Sequence, residues 1–267
     1  MTTPIPPATI PPRSSLRTRV LAGEAAFGLI LDFGSIAAAE IVARAGFDWV
    51  IVDLEHGMAT ETEVLGQLAA IQATDCAALV RVISGERMRV GRVLDLGADG
   101  LMIPRLETVA EVAETVSWMR YPPAGIRGIA AITRGAGYAT VGHPDIHRIN
   151  ERILGVFQVE SPVAVAAADE LAAIDGVDVL FVGPADLSHA MGIPGQFAHP
   201  EFVAALDRVA AAAAAHGKVA GILLSGTAEV AAYLARGYRF LGIGSDVSLV
   251  AGGSRTLIAD ARRTVAG

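Results

Sequence analysis

Lysine is almost missing from this chain. Lys218 stands alone among 21 basic residues, the rest being arginine. Any reaction through a Schiff base, or through covalently held pyridoxal phosphate, would have to use it. Lys218 sits just before the apolar run VAGILL, at the start of a predicted strand. In a barrel of parallel strands that end carries stability, not catalysis. Cysteine is equally scarce. The single Cys76 excludes an internal disulfide and fits a reducing cytoplasm. Charged residues make up only 18% against 52% hydrophobic, which implies a large buried core and a subunit interface as well. A net charge of −7 argues against a nucleic-acid or anionic-membrane partner. No uninterrupted run of about 18 apolar residues occurs, so no membrane span is expected. The opening MTTPIPPATIPPRSS, residues 1–15, has many prolines and no apolar centre. It reads as a flexible tail, neither signal nor transit peptide, ahead of one domain over 16–267.

The strongest pattern runs from Leu154 to Ser188. GVFQV and VDVLFV are short apolar, β-branched runs, and SPVAVAAADELAAI between them has helical spacing. Ser161 is placed to cap that helix, and Pro162 falls at its first position. The segment is therefore a βαβ unit with two parallel neighbouring strands. Each strand leads into a carboxylate: Glu160 after the first, Asp186 in a GPAD turn after the second. Neighbouring strands lie roughly 4.8 Å apart, so both carboxylates can reach one ion. Oxygen ligands suit a hard divalent cation. Taken singly, Glu160 as a helix cap and Asp186 as a turn residue remain the plain alternatives. As a pair at matching strand ends they favour the metal.

The same alternation runs through the chain. FGLILD, DWVIVDLEHG, CAALVRV and GLMIPRL are predicted strands, each followed by a helical stretch. Residues 121–150, with YPPAGIRG and several glycines, break the rhythm and read as a long functional loop holding short helical pieces. VAGILL and YRFLGIG supply two more strands, and SLVAGGSRTLIADARRTV a closing helix. Eight strands alternating with helices describe a single (β/α)₈ barrel. A doubly wound sheet is the alternative, but no G-x-G-x-x-G follows the first strand.

Chemistry in such a barrel belongs at the C-terminal strand ends. Those ends carry Asp53, Glu55 and His56, then Arg81, Gln158, Glu160 and Asp186. Asp32 and Arg105 follow strands one and four, and Ser225, Gly226, Gly244 and Ser245 follow strands seven and eight. His56 is the histidine, of six, that a strand end brings to the mouth, and its titration range suits proton transfer. Arg81 either pairs with Asp53 or Glu55 or binds a substrate carboxylate or enolate oxygen. The run Gly183, Pro184, Ala185, Asp186 offers backbone N–H groups for a small anion. Asp53 and Glu55 are read as residues that support the groups touching substrate.

VDLEHG, LVRV, RYPPAGIRG, QVES and FVGPADLS, in this order, resemble the HpcH/HpaI aldolase family from about Phe27 to Asp246. The resemblance implies a metal-dependent class II pyruvate aldolase on a phosphoenolpyruvate/pyruvate-type TIM barrel, of the 4-hydroxy-2-oxo-heptanedioate or 2-dehydro-3-deoxyglucarate aldolase type. It implies Glu160 and Asp186 as ligands of Mg²⁺, Mn²⁺ or Co²⁺, His56 as base and Arg81 as enolate stabiliser. It further implies substrate contacts from Gln158 and from Ala185 through its backbone. Asp95, in VLDLG, matches an aspartate that raises the basicity of the histidine. By position, however, Asp95 falls near a helix end away from His56, so that role requires a neighbouring subunit. The family is similar in forming hexamers, trimers of dimers, with an exchanged C-terminal helix, and the apolar last segment is compatible with this.

The expected reaction is reversible cleavage of a 4-hydroxy-2-oxo acid to pyruvate, or hydroxypyruvate, and an aldehyde, in the cytoplasm. Oxaloacetate decarboxylation or CoA-thioester cleavage on the same barrel, and a sugar-phosphate isomerase using Gly244 and Ser245, are the alternatives. The aldehyde determinants are expected in the 121–150 loop, near Leu223 and Leu224, and in a neighbouring subunit. Arg127 either binds a distal carboxylate or holds its loop.

Overall fold

Eight short apolar runs become eight strands: β1 (Ala26–Leu31), β2 (Trp49–Asp53), β3 (Ala77–Arg81), β4 (Gly100–Ile103), β5 (Leu154–Val159), β6 (Val179–Val182), β7 (Val219–Leu223) and β8 (Tyr238–Ser245). In the computed structural model, which describes residues 16–105 and 107–266, they pair in chain order and close into a parallel barrel. The proline-rich segment 1–15 lies outside the described residues. Between the strands run α2 (Ile36–Arg44), α3 (Glu61–Ile71), α4 (Arg87–Asp95), α5 (Val109–Met119), α9 (Pro200–Ala215) and α10 (Val230–Ala235). After β8 the chain ends in α11 (Asp246–Ala266). This is the expected (β/α)₈ architecture, not a doubly wound sheet.

Strand alternation decides what fills the barrel. Trp49 and Ile51 of β2, Leu79 of β3, Met102 of β4, Leu154 and Val156 of β5, Val179 and Phe181 of β6 and Phe240 of β8 form one inner cluster. Val50, Val52, Val80, Leu101, Val159 and Val182 belong to the outer cluster beneath the helices. Trp49 stacks on Phe240 at 4.2 Å between ring centroids, the ring planes nearly parallel. Gly28 provides the room, since a Cβ there would enter the Trp49 ring. Continued two residues at a time, the inward series carries Ile51 to Asp53, Leu79 to Arg81 and Val156 to Gln158. The polar mouth is thus the top layer of the barrel interior.

Four features differ from the sequence reading. A first helix, α1 (Leu16–Leu21), precedes β1, and its Leu16 and Val20 join the inner cluster. Arg17 anchors it through two 2.9 Å bonds to the buried carboxylate of Asp178. Six residues are too few to display a helical period. The helix after β5 is divided into α6 (Pro162–Ala166) and α7 (Ala168–Ala172), where Arg208 of α9 takes the Ala166 carbonyl at 2.6 Å. The GPAD segment is no isolated turn, because Pro184 opens a short helix, α8 (Pro184–Ala190), capped by Gly183.

The fourth difference concerns residues 121–150. They hold the expected short helical pieces, which prove to be 3₁₀ helices, Arg134–Ala136 and His143–Glu151. But they connect α5 to β5, so they lie at the N-terminal end of the barrel, opposite the mouth. Within one subunit they cannot select the aldehyde. YPPAGIRG is instead a packed corner. Asn150 exchanges two hydrogen bonds with the Tyr121 backbone, and the Arg127 guanidinium lies 4.3 Å from the centroid of the Tyr121 ring. Arg127 holds its loop.

Candidate active site

Asp53 and Arg81 are register partners on β2 and β3. Arg81 donates to both Asp53 oxygens, Nε to Oδ1 at 2.8 Å and Nη2 to Oδ2 at 2.6 Å. Burial pushes the Asp53 carboxyl upward, but the bonds and charge of Arg81, with the N–H groups of Glu55 and His56, leave it below the usual carboxylate range. The third nitrogen of the guanidinium, Nη1, lies 3.3 Å from Glu55. The pairing alternative for Arg81 is therefore what the structure displays, with both Asp53 and Glu55 as partners. Two of its nitrogens are structural, while its charge is held at the mouth and also reaches Glu160. Asp53 and Glu55 are both in place beside Arg81 at the tops of their strands.

Glu160 leaves the top of β5. Burial raises its carboxyl to about 7, and the charges of Asp186 and Glu55 push the same way, against Arg81 and Arg105. Its oxygen accepts from Gln158 Nε2 at 2.5 Å. Ser161, not Glu160, caps α6, accepting from the Ala164 N–H. Gly183 is pressed against this carboxylate. A Cβ there would stand 2.5 Å from Glu160 Oε1. Asp186, in the first turn of α8, completes the group.

A cavity of about 250 Å³ opens over these residues. Arg81, Gln158, Glu160, Gly183, Pro184, Ala185 and Asp186 all line it, so seven of the sequence-derived residues converge. Leu223, Leu224 and Ser225 contribute as the β7 reading suggested. Ile30, Met102, Phe181, Phe197, Glu229 and Tyr233 also line it, and sequence reasoning did not select them. Alternation along the strands would have found Ile30, Met102 and Phe181. Phe197, Glu229 and Tyr233 come from connections after β6 and β7 and carry no local signal.

A family model described as HpcH/HpaI aldolase/citrate lyase matches residues 27–252. The chain belongs to the HpcH/HpaI family. It is 38% identical over 241 residues to a hydroxypyruvate/pyruvate aldolase of Delftia acidovorans, covering 90% of this chain and 89% of that one. It is 35% identical over 249 residues to a 4-hydroxy-2-oxo-heptane-1,7-dioate aldolase of Salmonella dublin, covering 92% and 94%. A crystal structure of an HpcH/HpaI aldolase/citrate lyase family protein from Burkholderia cenocepacia superposes with a TM-score of 0.87 at 37% identity, covering 92% of this chain and 98% of the other. The chain is accordingly an enzyme, a carbon–carbon lyase of the aldolase kind.

HpcH/HpaI aldolases use a divalent metal, and the residues present fit one. Gln158 Oε1 is buried with no hydrogen-bond partner, next to two carboxylates that repel one another. A hard cation would satisfy all three groups. No set of three or more His, Cys, Asp or Glu is arranged for a metal among the described residues. Glu160 and Asp186 would therefore hold the ion and leave the rest of its oxygen shell to substrate, water and Gln158.

The remaining family positions lie apart from the cavity lining. The His56 side chain is 67% exposed, with Nε2 3.8 Å from Glu55. Asp95 closes α4 at the opposite end of the barrel and is paired with Arg127 at 2.8 Å. Ser245 and Ser248 bond each other's backbone N–H at the start of α11, so both hydroxyls at the strand-eight end are engaged in starting that helix. No helix among the described residues is long and apolar enough to cross a membrane.

Proposed function

We propose that the protein cleaves 4-hydroxy-2-oxo acids reversibly into pyruvate, or hydroxypyruvate, and an aldehyde. The observation that carries this reading is the Glu160–Asp186 pair beside an unpartnered amide oxygen and a clamped arginine at one barrel mouth. Mg²⁺, Mn²⁺ or Co²⁺ held by Glu160 and Asp186 supplies a Lewis acid for the 2-oxo acid. The chain's own residues do the rest. Arg81, oriented by Asp53, meets the negative charge that develops on the enolate oxygen as the C3–C4 bond breaks. The N–H groups of Ala185 and Asp186, at the start of α8, hold the substrate carboxylate. His56, on the solvent side and steered by Glu55, takes the proton of the 4-hydroxyl, and a proton delivered to C3 of the enolate then gives pyruvate. Lys218 precedes β7 at the far end of the barrel and supports no Schiff base.

The working form is read as a homo-oligomer, a hexamer, in the cytoplasm. Leu249, Val250, Leu257, Ile258 and Val265 of α11 are exposed, which supports an exchange of this helix between subunits. Only in such an assembly can Asp95 approach a His56, that of a neighbouring copy. The decisive assay is pyruvate or hydroxypyruvate with a panel of aldehydes, with Mn²⁺ and again in EDTA. Turnover that persists at its full rate in chelator, with no metal left in the protein, overturns the reading.

A further inference from the structure

Strand β1 ends where its neighbour β8 turns away from it. The β1–β8 register shifts between Gly28 and Ile30, Gly244 takes φ of +139°, and the chain passes into α11. The next two N–H groups beyond β1, those of Asp32 and Phe33, are met by a side chain instead of a strand. Asp246 accepts from Asp32 at 2.8 Å through Oδ1 and from Phe33 at 3.2 Å through Oδ2. Asp246 is only 4% exposed. It is the first residue of α11, yet the helix start is already served, because Ser245 and Ser248 bond reciprocally as a capping box. Within α11 it takes only the adjacent Val247 N–H, at 2.8 Å. A buried side chain spent in this way is an anchor for the end of β1.

The anchored segment is itself an anchor. The Asp32 carbonyl accepts the Met58 N–H at 2.7 Å, just beyond His56 in the chain. Gly34, at φ +66°, lies against Ala59, where a Cβ would stand 3.1 Å from the Ala59 backbone. On its near side the same loop is held by Asp53, whose oxygens take the N–H groups of Glu55 and His56. Gly57 leaves no slack, since a Cβ there would stand 2.2 Å from the Asp53 carbonyl oxygen. The His56 ring is mostly exposed and approaches Glu55 no closer than 3.8 Å, so its aim comes from the backbone between these two clamps. One clamp is Asp53, gripped by Arg81. The other runs from Met58 through Asp32 to Asp246.

We infer that Asp246 is a positioning residue for His56, acting through the Asp32 carbonyl on the far side of the loop that carries the base. This rests on the proposed reaction for what His56 does, and on the hydrogen bonds alone for what holds it. Asp246 itself touches no reacting atom. Without it the N–H groups of Asp32 and Phe33 lose their acceptor, and the end of β1 must shift to regain one. The Asp32 carbonyl shifts with it and Met58 is released. A displacement of about 1 Å at a catalytic group is enough to cost about 100-fold in rate.

The test places Asp246→Ala and Asp246→Asn in the wild-type and the His56→Ala backgrounds. With His56 present, Asp246→Ala should lower kcat for cleavage about 10- to 100-fold. Calorimetric affinity of the Mn²⁺-loaded protein for pyruvate should change less than about twofold, since Arg81, Glu160 and the N–H groups of α8 are untouched. In the His56→Ala background the same substitution should cost less than about threefold, because no imidazole remains to be misplaced. Asp246→Asn keeps one acceptor oxygen and should fall between. Amide hydrogen exchange in the peptide Leu54–Thr60, followed by mass, should quicken about tenfold or more in Asp246→Ala. Gly34→Ala strains the same junction without touching Asp246, and it should give the same pattern even where Asp246→Ala does not fold. An equal loss of kcat in both backgrounds would assign Asp246 to stability alone and overturn the inference. So would unchanged amide exchange over Leu54–Thr60. If the wild type cleaves no 4-hydroxy-2-oxo acid, the aldolase reading fails, and amide exchange alone decides whether Asp246 anchors the loop. If cleavage proceeds and is indifferent to Asp246, the aldolase reading stands and the inference falls.

Discussion

Arg81 grips both oxygens of Asp53 from the adjacent strand and reaches Glu55 with its third nitrogen, which fixes its charge at the mouth of the barrel. Asp53 is fully buried. Arg81→Ala should therefore do two things at once. Leaving Asp53 buried without its partner should cost about 3–5 kcal/mol of stability, read by denaturant unfolding. Losing the charge at the mouth should abolish exchange of the pyruvate methyl protons with solvent, read by NMR. Arg81→Ala with Asp53→Asn should recover stability and leave exchange abolished. Exchange at the normal rate in either variant would remove Arg81 from the chemistry.

That coupling explains why so much was legible from the sequence. Inward strand positions recur every second residue, and the site is the last polar step of that series: Asp53 above Ile51, Arg81 above Leu79, Gln158 above Val156. Apolar runs mark the strands, and their polar ends mark the mouth. What was not legible has non-local causes. Phe197, Glu229 and Tyr233 reach the cavity because whole connections fold over it. At the break near Ala167 the Ala166 carbonyl is taken by Arg208, some forty residues onward, a partner no local pattern shows. The 121–150 segment has glycines and prolines of the kind a functional loop carries, but its place between a helix and the next strand sets it at the N-terminal end of its own barrel.

Gly183 links site geometry to fold stability. Its backbone, φ −91° and ψ 96°, is open to any residue, so alanine meets no conformational penalty. The added methyl meets Glu160 from Oε1 down to Cγ, at 2.5 and 2.9 Å. Gly183→Ala should cost about 1–3 kcal/mol of unfolding free energy, because the whole Glu160 side chain, held by Gln158, must shift. Mn²⁺ affinity should fall by about tenfold or more. Both are measurable by calorimetry and denaturation on one sample. Unchanged Mn²⁺ binding would place the cation away from Glu160.

Asp95 and His56 invite a mixing experiment. In one subunit Asp95 serves Arg127, whose side chain is only 2% exposed. Asp95→Ala should destabilise the fold by about 2 kcal/mol by stranding that charge. If Asp95 also serves a neighbour's His56, then Asp95→Ala and His56→Ala proteins, each inactive alone, should regain cleavage when unfolded and refolded together. Some interfaces would then unite two intact residues. No recovery, with mixed oligomers confirmed by mass, would confine Asp95 to its structural task.

Proton release completes the case for the carboxylate pair. Burial and the charges of Asp186 and Glu55 hold Glu160 near pH 7 in the metal-free protein, whereas an unfolded glutamate titrates near 4.3. Between those values the folded state keeps a proton that the unfolded chain has lost. Through this group, the metal-free protein therefore loses stability as pH rises across that window. A cation must expel the same proton. Mn²⁺ affinity should rise by about tenfold per pH unit up to about pH 7 and then level off. Saturating Mn²⁺ should also cancel the loss of stability, because ligand bound to the folded state alone stabilises it. Titrations from about pH 5.5 to 8, each with its proton release measured in two buffers of different ionisation enthalpy, decide the point. Affinity that stays flat across pH 6 to 7, with no proton released, would mean that the cation does not bind through Glu160.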